Sequence, residues 1–403
     1  MRVLHINDYR THGGCEVLMD VTVEALIRSG IEVERFTSED VAGHRRTPLS
    51  YIDNHRVRGA LTRQLAAFRP DVVHLHNFYH ELSPGILATL RRWRRGRSVR
   101  VVMTAHDFHL ICPNAGLRFF RRGEAVNAQP DAAGSLGALL TRSWDERGRA
   151  YSTLKTLQHL WNYRLLRRHR VIDAIIAPSQ FMADALARLG VPTVVIANPV
   201  PASCAADRPS TPLHLLFAGR VEPEKGLGEF IAAFPADVES RLTIVGDGAA
   251  LPAVRAEVER RGLTQAVTFA GRCSRQRTLE RLATAHVLVL PSKVYENDPI
   301  VIGEALACGA SLLVSDLGGM REAVRASGVG YTFDPADPAA VAATVRKVAE
   351  DHRSGCLRRT PADGYLEMRT ESHYRDRLLR LYEADAETPI AGVPNHPAVP
   401  CAS

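Results

Sequence analysis

Residues 291–309 read PSKVYENDPIVIGEALACG, a strand end, a loop and a helix start that carry two spaced carboxylates, Glu296 and Glu304. The run HVLVL at 286–290 is apolar and β-branched at strand length, and Pro291-Ser292 stops it at its carboxyl end. Asp298 is a good N-cap and Pro299 fits a first helical turn, where a missing N–H costs nothing. The spacing therefore predicts a helix over 299–308 closed by Gly309. Glu304 then sits little more than a turn inside the helix, and Glu296 hangs in the loop before it. Both border a helix N-terminus whose N–H groups attract phosphate. A carboxylate does not improve phosphate binding, so two of them there imply hydroxyl groups held beside it, the chemistry of a sugar nucleotide.

Upstream, a series of strand and helix signals leads into this stretch. LHLLFAG, RLTIVGDG and VTFAG read as strands, with helical patterns over 226–234, 250–261 and 275–285 between them. Arg220 and Lys225 flank the turn GRVEPEKG directly after the first of these strands. Two cations at a strand's carboxyl end and a helix start suit a diphosphate, Arg as a fork and Lys as a point charge. The plain alternative is a surface ion pair with Glu222 or Glu224. Gly246-Asp247-Gly248 ends the second strand in the same way and reads either as a close approach or as a tight turn.

The first half repeats the alternation. A strand over 2–6 runs through the loop NDYRTHGG into the helical pattern CEVLMDVTVEALIRS, and Gly13-Gly14 at that helix start would let backbone approach an anion. Further strands are expected over 31–36, 71–76, 99–105, 174–177 and 193–196, separated by helices over 56–68, 84–95, 153–169 and 180–189. Strands alternating with helices give parallel, doubly wound sheets. His74 and His76 share one strand face, and His106 and His109 follow another strand end, but no carboxylate or cysteine completes a ligand set at sequence level, so no metal is expected. His106 opens HDFHLICP at a strand's carboxyl end, where open α/β sheets bind ligands, and is a candidate site residue. Residues 114–149 lack a clear period and read as a long loop.

Composition bounds the rest. At 403 residues the chain is too long for one ordinary core. The aperiodic, Pro-rich stretch 198–212 reads as the linker between two domains, and 388–403 as a disordered tail. Seven scattered cysteines, never in C-x-x-C, read as reduced. No apolar run approaches the ~20 residues that cross a bilayer, and no signal-peptide pattern opens the chain, so a cytoplasmic protein is expected. Residues 1–200 hold 28 Lys and Arg against 18 Asp and Glu, and the remainder 23 against 26, so the basic surface belongs to the first half. Its densest part is LRRWRRGRSVR at 90–100; Arg91, Arg92, Arg94 and Arg95 are read either as a solvated helix end or as a peripheral contact with an anionic membrane or an acidic acceptor. No nucleic-acid motif accompanies the charge.

Taken together, FAGRVEPEKG, IVGDG, VTFAG and the E-x7-E pair Glu296/Glu304 resemble the donor-binding domain of the retaining GT-B glycosyltransferases of family four. The loop Gly13–Glu16, DVVHLHN and TAHDFHLICP resemble the same family's acceptor domain, so the likeness runs to about residue 385. It implies an α/β fold of two doubly wound, Rossmann-like domains facing a central cleft. The implied division is an acceptor-binding domain over 1–200, a donor-binding domain over 212–365, and a last helix at about 371–387 that packs back on the first domain. On this resemblance Arg220 and Lys225 bind the donor diphosphate, Glu304 the ribose hydroxyls and Glu296 the hydroxyls of the transferred sugar. Gly14 faces the phosphates, His106 contacts the sugar near the reacting carbon, and Arg272 and Cys273 border the nucleobase. Gly246, Asp298, Ile300 and Val301 complete the donor set. No metal or cofactor is implied beyond a UDP- or GDP-sugar as donor, and the acceptor is a small molecule, a glycan or a lipid-linked intermediate. Many relatives have Glu-Gly-Phe-Gly where this chain has Glu296-Asn297-Asp298-Pro299, which puts polar groups where others offer backbone. A nucleotide-sugar 2-epimerase or a non-catalytic binding protein of the same fold shares the frame. A dinucleotide oxidoreductase does not, since no G-x-G-x-x-G follows a strand.

Overall fold

Short runs of Val, Ile and Leu with both faces apolar must be covered on both sides, and here they pair in parallel with helices returning over them. The computed structural model describes residues 1–10, 13–201 and 212–384. They group into two compact units, residues 1–197 together with 374 onward, and residues 198–373.

In chain order the first unit contributes β1 (Arg2–Ile6), β2 (Glu32–Phe36), β3 (Val72–Leu75), β4 (Arg100–Thr104), β5 (Arg118–Arg121), β6 (Glu124–Asn127), β7 (Ala174–Ala177) and β8 (Thr193–Val195). Six of them form one parallel sheet in the order β2-β1-β3-β4-β7-β8, while β5 and β6 make a separate antiparallel hairpin. The register of β1 on β3 sets His5 beside His74. The helix Glu371–Glu383 lies on this unit through Thr22 Oγ1 to the Tyr374 hydroxyl at 2.9 Å and His74 Nδ1 to the Tyr382 hydroxyl at 2.6 Å.

The second unit contributes β9 (Leu213–Ala218), β10 (Ser240–Val245), β11 (Val267–Gly271), β12 (Val287–Leu290), β13 (Ser311–Ser315) and β14 (Tyr331–Phe333), a parallel sheet in the order β11-β10-β9-β12-β13-β14. Its core is the aliphatic filling of the strands, Leu215, Leu216, Leu288 and Leu313 among them, all fully buried. In each sheet the strand order reverses beside the unit's first strand, between β1 and β3 and between β9 and β12. At such reversals the connections leave in opposite directions and open a crevice at the carboxyl ends of the strands.

Several expectations need correction. Residues 114–149 are not one long loop: β5 and β6 turn through Arg122 and Gly123, both at positive φ, and short helices follow at Pro130–Ala133 and Leu136–Thr141. Two residues at positive φ make the tight turn that matches strand twist, and an Arg-Gly pair is a weak signal for it. The helix read at 153–169 is Arg149–His159 continued by a π-helical turn, Leu160–Leu165. Cys308, read as reduced, is in a disulfide, because spacing along the chain does not say which thiols approach each other. Cys15, Cys112, Cys273 and Cys356 are free. Residues 202–211 of the expected linker and the whole of the expected tail lie outside the described residues.

The helix of the opening stretch runs Ile300–Ala307, with Gly309 at φ 73° just past its end. Its N-cap is Pro299 rather than Asp298, and no side chain caps it. Asp298 instead accepts the Arg369 guanidinium at 2.9 Å and the Asn198 N–H at 3.0 Å, and both charged side chains are buried. A buried guanidinium must find a carboxylate, and that demand outweighs a cap worth about 1 kcal/mol. Arg369→Met should therefore leave the Asp298 charge buried without a partner and cost about 3–5 kcal/mol. Denaturant unfolding followed on the second unit should show the loss, and Arg369→Met combined with Asp298→Asn should recover a good part of it. An unchanged midpoint in the single variant would contradict this account.

Candidate functional site

The carboxyl edge of the second sheet collects most of the residues singled out from the sequence. After β9 the chain passes Gly219 and the exposed Arg220 into a short 3-10 turn, Pro223–Lys225, that Gly226 ends in the left-handed region. Gly226 is required here. Its φ is 68°, and a Cβ on it would stand 2.0 Å from the Pro291 carbonyl oxygen. That close approach brings the loop after β9 against the loop after β12, and the Lys293 N–H donates to the Glu224 carbonyl at 2.8 Å. The packing carries Lys225 Nζ to Glu296 Oε1 at 2.5 Å, and the Ser292 hydroxyl donates to the same oxygen at 2.8 Å. Sequence reading offered Glu222 or Glu224 as partners for the cations. Lys225 pairs with Glu296 instead, and Arg220 makes no ion pair among the described residues.

Glu296 is fixed from the other side too. Its carbonyl accepts the Gly319 N–H at 2.8 Å, at the start of the helix Gly318–Ser327. Glu304, buried on the helix Ile300–Ala307, holds Arg275 Nε at 2.8 Å. Because Asp298 is engaged by Arg369, the N–H groups of Ile300 and Val301 begin their helix without a side-chain acceptor. Asp298, counted in the donor set from the sequence, is buried and braces the loop. Gly246 answers a packing demand, since a Cβ on it would stand 1.8 Å from the Gly219 carbonyl oxygen. Arg272 is exposed and Cys273 half-buried just past β11. Ser292 and Arg275 were not anticipated. Their partners lie four and 29 residues away in sequence, and neither spacing is a motif.

At the carboxyl edge of the first sheet a file of imidazoles runs outward. His5 Nδ1 meets His76 Nε2 at 2.9 Å, and His76 Nδ1 meets His106 Nε2 at 2.9 Å. Burial holds His5 and His76 well below the ordinary histidine range and His106 down at about 4, so the file is neutral at pH 7. Each ring then has one N–H to place. Among the described residues His5 Nε2 is buried without a partner. An orphaned N–H is harder to tolerate than an orphaned lone pair, so the His5 proton belongs on Nδ1. It donates to His76, His76 donates to His106, and His106 is left with its proton on Nδ1.

Beside this file the helix Gly14–Arg28 begins, its loop tied down by Asn7, which donates to Glu16 Oε1 at 2.9 Å while Glu16 Oε2 accepts the Gly13 N–H at 2.8 Å. A Cβ on Gly14 would meet nothing within 4 Å. Cys15 Sγ comes within 4.8 Å of ligand nitrogens of His76 and His106, a grouping the sequence had not shown. Within that group His76 Nδ1 and His106 Nε2 are bonded to each other. Of the arginines read as a membrane contact, Arg94 is not available for one. It pairs with Asp173 at 2.8 Å and donates to the Val171 carbonyl, while Arg91 reaches the Arg167 carbonyl at 2.9 Å. Among the described residues no helix is long and apolar enough to cross a membrane.

Two family profiles match the sequence, Glycosyltransferase Family 4 over residues 12–203 and Glycosyl transferases group 1 over residues 204–360. The glycogen synthase of Mycobacterium tuberculosis is 36% identical over 194 residues, 45% of this chain and 47% of that protein, so the chain spans about half the length of that relative. A D-inositol 3-phosphate glycosyltransferase of Catenulispora acidiphila is 26% identical over 416 residues, 93% of this chain and 91% of that protein. Sucrose-phosphate synthase from Thermosynechococcus elongatus matches with a TM-score of 0.69 at 19% identity, covering 94% of this chain and 98% of that one. HepE of Anabaena in complex with UDP-glucose matches with 0.62 at 16%, covering 94% and 99%. These structures share the fold, two Rossmann-like α/β domains of the GT-B kind.

The imidazole cluster makes a pH prediction. A histidine whose folded pKa is depressed takes up its proton in the unfolded chain first, so stability falls as pH drops from about 6.5 toward the folded value. His5, His74, His76 and His106 all act in this sense. Asp107, which burial pushes up to about 6, and Asp8, which burial also raises, act in the opposite sense, but burial lowers His80, His109, His159, His169 and His214 as well, so the histidines outnumber them. The thermal midpoint should be flat above pH 7 and fall on acidification to pH 5, with a shallower fall in His76→Gln. A midpoint that rises over that interval would contradict the neutral file.

Proposed function

Since the chain belongs to the group 1 glycosyltransferases of family four, we propose that it moves a sugar from a nucleoside diphosphate sugar to an acceptor hydroxyl with retention at the anomeric carbon. The observation that carries this reading is the Lys225–Glu296–Ser292 cluster beside an exposed Arg220 and an uncapped helix start. The reaction breaks the bond from the anomeric carbon to the diphosphate oxygen, and negative charge grows on the leaving group. Arg220, Lys225 and the N–H groups of Ile300 and Val301 supply positive potential for that charge without a metal ion. Glu304, steadied by Arg275, takes the ribose hydroxyls. When Lys225 turns to the diphosphate, the Glu296 oxygen it held becomes an acceptor for hydroxyls of the transferred sugar. The acceptor oxygen attacks from the face the diphosphate leaves, and its proton passes to a diphosphate oxygen. His106, kept neutral by burial, is assigned to the transferred sugar near its reacting carbon. A uracil nucleotide is the first donor to try, because HepE, of the same fold, is described in complex with UDP-glucose.

Thermal-shift screening against UDP-, GDP-, dTDP- and ADP-sugars should find one that raises the midpoint, as a ligand at a hundred times its Kd adds about 2.7 kcal/mol. With that donor, Glu296→Gln should chiefly lower kcat and Glu304→Ala should chiefly raise donor KM. Arg220→Ala should cost about 2–4 kcal/mol in kcat/KM. Turnover should survive EDTA. A trapped glycosyl-Glu296 adduct, equal defects in the two glutamate variants, or epimerisation of the donor without acceptor would each refute the scheme.

A further inference from the structure

The segment 149–165 is inside out. Its helix Arg149–His159 and the π-helical turn Leu160–Leu165 turn polar side chains to the protein, with Ser152, Thr156, Gln158, His159 and Asn162 buried. The amide N–H groups on this inner face go to backbone: Gln158 donates to the Tyr51 and Tyr79 carbonyls at 2.6 and 3.0 Å, and Asn162 to the Ile52 carbonyl at 3.1 Å, while Gln158 Oε1 and His159 Nδ1 are buried without a partner among the described residues. The outward face carries Leu157, Trp161 and Leu165 at a spacing of four, 50%, 46% and 67% exposed. Beside it, the short helix Leu136–Thr141 exposes Leu136 and Leu140 at 62% and 67%, and the Arg164 guanidinium donates to the Gly134 carbonyl just before that helix. A surface helix normally buries such a stripe. This one keeps its polar groups for the protein and leaves its apolar groups outside.

Charge selects the occupant. From Arg147 to Arg170 the sequence has seven Arg and Lys and no Asp or Glu. Arg168 is buried against Asp53, and Arg147 and Lys155 pair with Asp145, but Arg149, Arg164, Arg167 and Arg170 are exposed around the apolar stripe. Two copies face to face would bring two such arginine sets together, which argues against self-association. An apolar stripe with an indole at its centre and a cationic rim fits a bilayer with anionic headgroups.

We propose that the face formed by Leu157, Trp161, Leu165, Leu136 and Leu140 inserts shallowly into an anionic membrane surface, with the exposed arginines on the headgroups. This contact rests on different residues from the donor reading.

The full chain should float with vesicles of phosphatidylcholine plus phosphatidylglycerol and not with phosphatidylcholine alone, and added salt should release it. Tryptophan emission should shift to the blue on anionic vesicles and should not shift in Trp161→Phe, since Trp144 is fully buried and Trp93, half-buried beneath the Arg97 guanidinium, lies outside the proposed face; a shift that persists in Trp161→Phe would place the contact at Trp93 and overturn the assignment. Leu157→Ser, Trp161→Ser and Leu165→Ser together should weaken vesicle binding about tenfold or more, with the thermal midpoint and the nucleotide-sugar shift retained. Equal binding to neutral and anionic vesicles, no binding to either, or a triple variant that binds as the parent would overturn the proposal. So would a concentration-dependent dimer abolished by the triple variant, because a second copy would then be what covers the face.

Discussion

A guanidinium buried in the second unit has to be neutralised where it stands, and Asp298 is the group that does it. The consequences spread outward from that pair. Asp298 is withdrawn from the helix it precedes, so the first turn of Ile300–Ala307 has no side-chain cap and its N–H groups are left for a ligand. The same carboxylate takes the Asn198 N–H, and the Val200 N–H bonds the Arg369 carbonyl at 2.8 Å, so the segment entering the second unit and the segment near its end are held at one point. The loop between β12 and the helix cannot drift, and the Glu296 side chain is delivered to Lys225. An aspartate at a helix start usually serves the helix. Here it serves the interior, and the helix start becomes available for function.

That exchange marks the limit of what could be read from residues alone. Strands and helices were legible because each is a local pattern: HVLVL, LHLLFAG and VTFAG are runs of strand length, and each becomes a strand of the second sheet. Asp298 followed by Pro299 carries an equally clear local pattern, a cap, yet a residue 71 positions away takes the aspartate. The pairing of Lys225 with Glu296 also spans 71 positions, and only the close approach at Gly226 brings it about. Cys15, invisible as a neighbour of His76 and His106 in the sequence, meets them because β1 and β3 are adjacent and the helix after β1 starts at the same edge. The hairpin of β5 and β6 went unread because its strands are four residues each and mostly arginine, phenylalanine and small residues.

The two units place charge in opposite ways at their ligand edges. The second concentrates ions, Arg220, Lys225, Arg275 and two glutamates, with Lys225 paired to Glu296 and Arg275 to Glu304. The first removes ions: its edge histidines are pressed by burial into the neutral state, and a file of hydrogen bonds decides which nitrogen of each carries hydrogen. A neutral ring offers a directed N–H without adding charge.

The inverted helix belongs to the same reasoning about where polar groups are needed. Gln158 and Asn162 point inward to carbonyls that would otherwise lack donors, those of Tyr51 and Ile52 in the last turn of the short helix Pro48–Ile52 and that of Tyr79 in a loop. Neither the last carbonyls of a helix nor loop backbone is satisfied within its own element, so a neighbouring helix must bring amides to them. Once the inner face is committed to amides, Leu154 and Leu160 are only half-buried and Leu157 and Leu165 lie outside, so a helix that solvates buried carbonyls acquires an apolar outer face. A helix needed only for that inner task would carry lysine or glutamate at 157, 161 and 165, where leucine and tryptophan gain nothing in water. That these positions are apolar, and that every charge between 147 and 170 is positive, is what the inner task leaves unexplained and a bilayer surface explains.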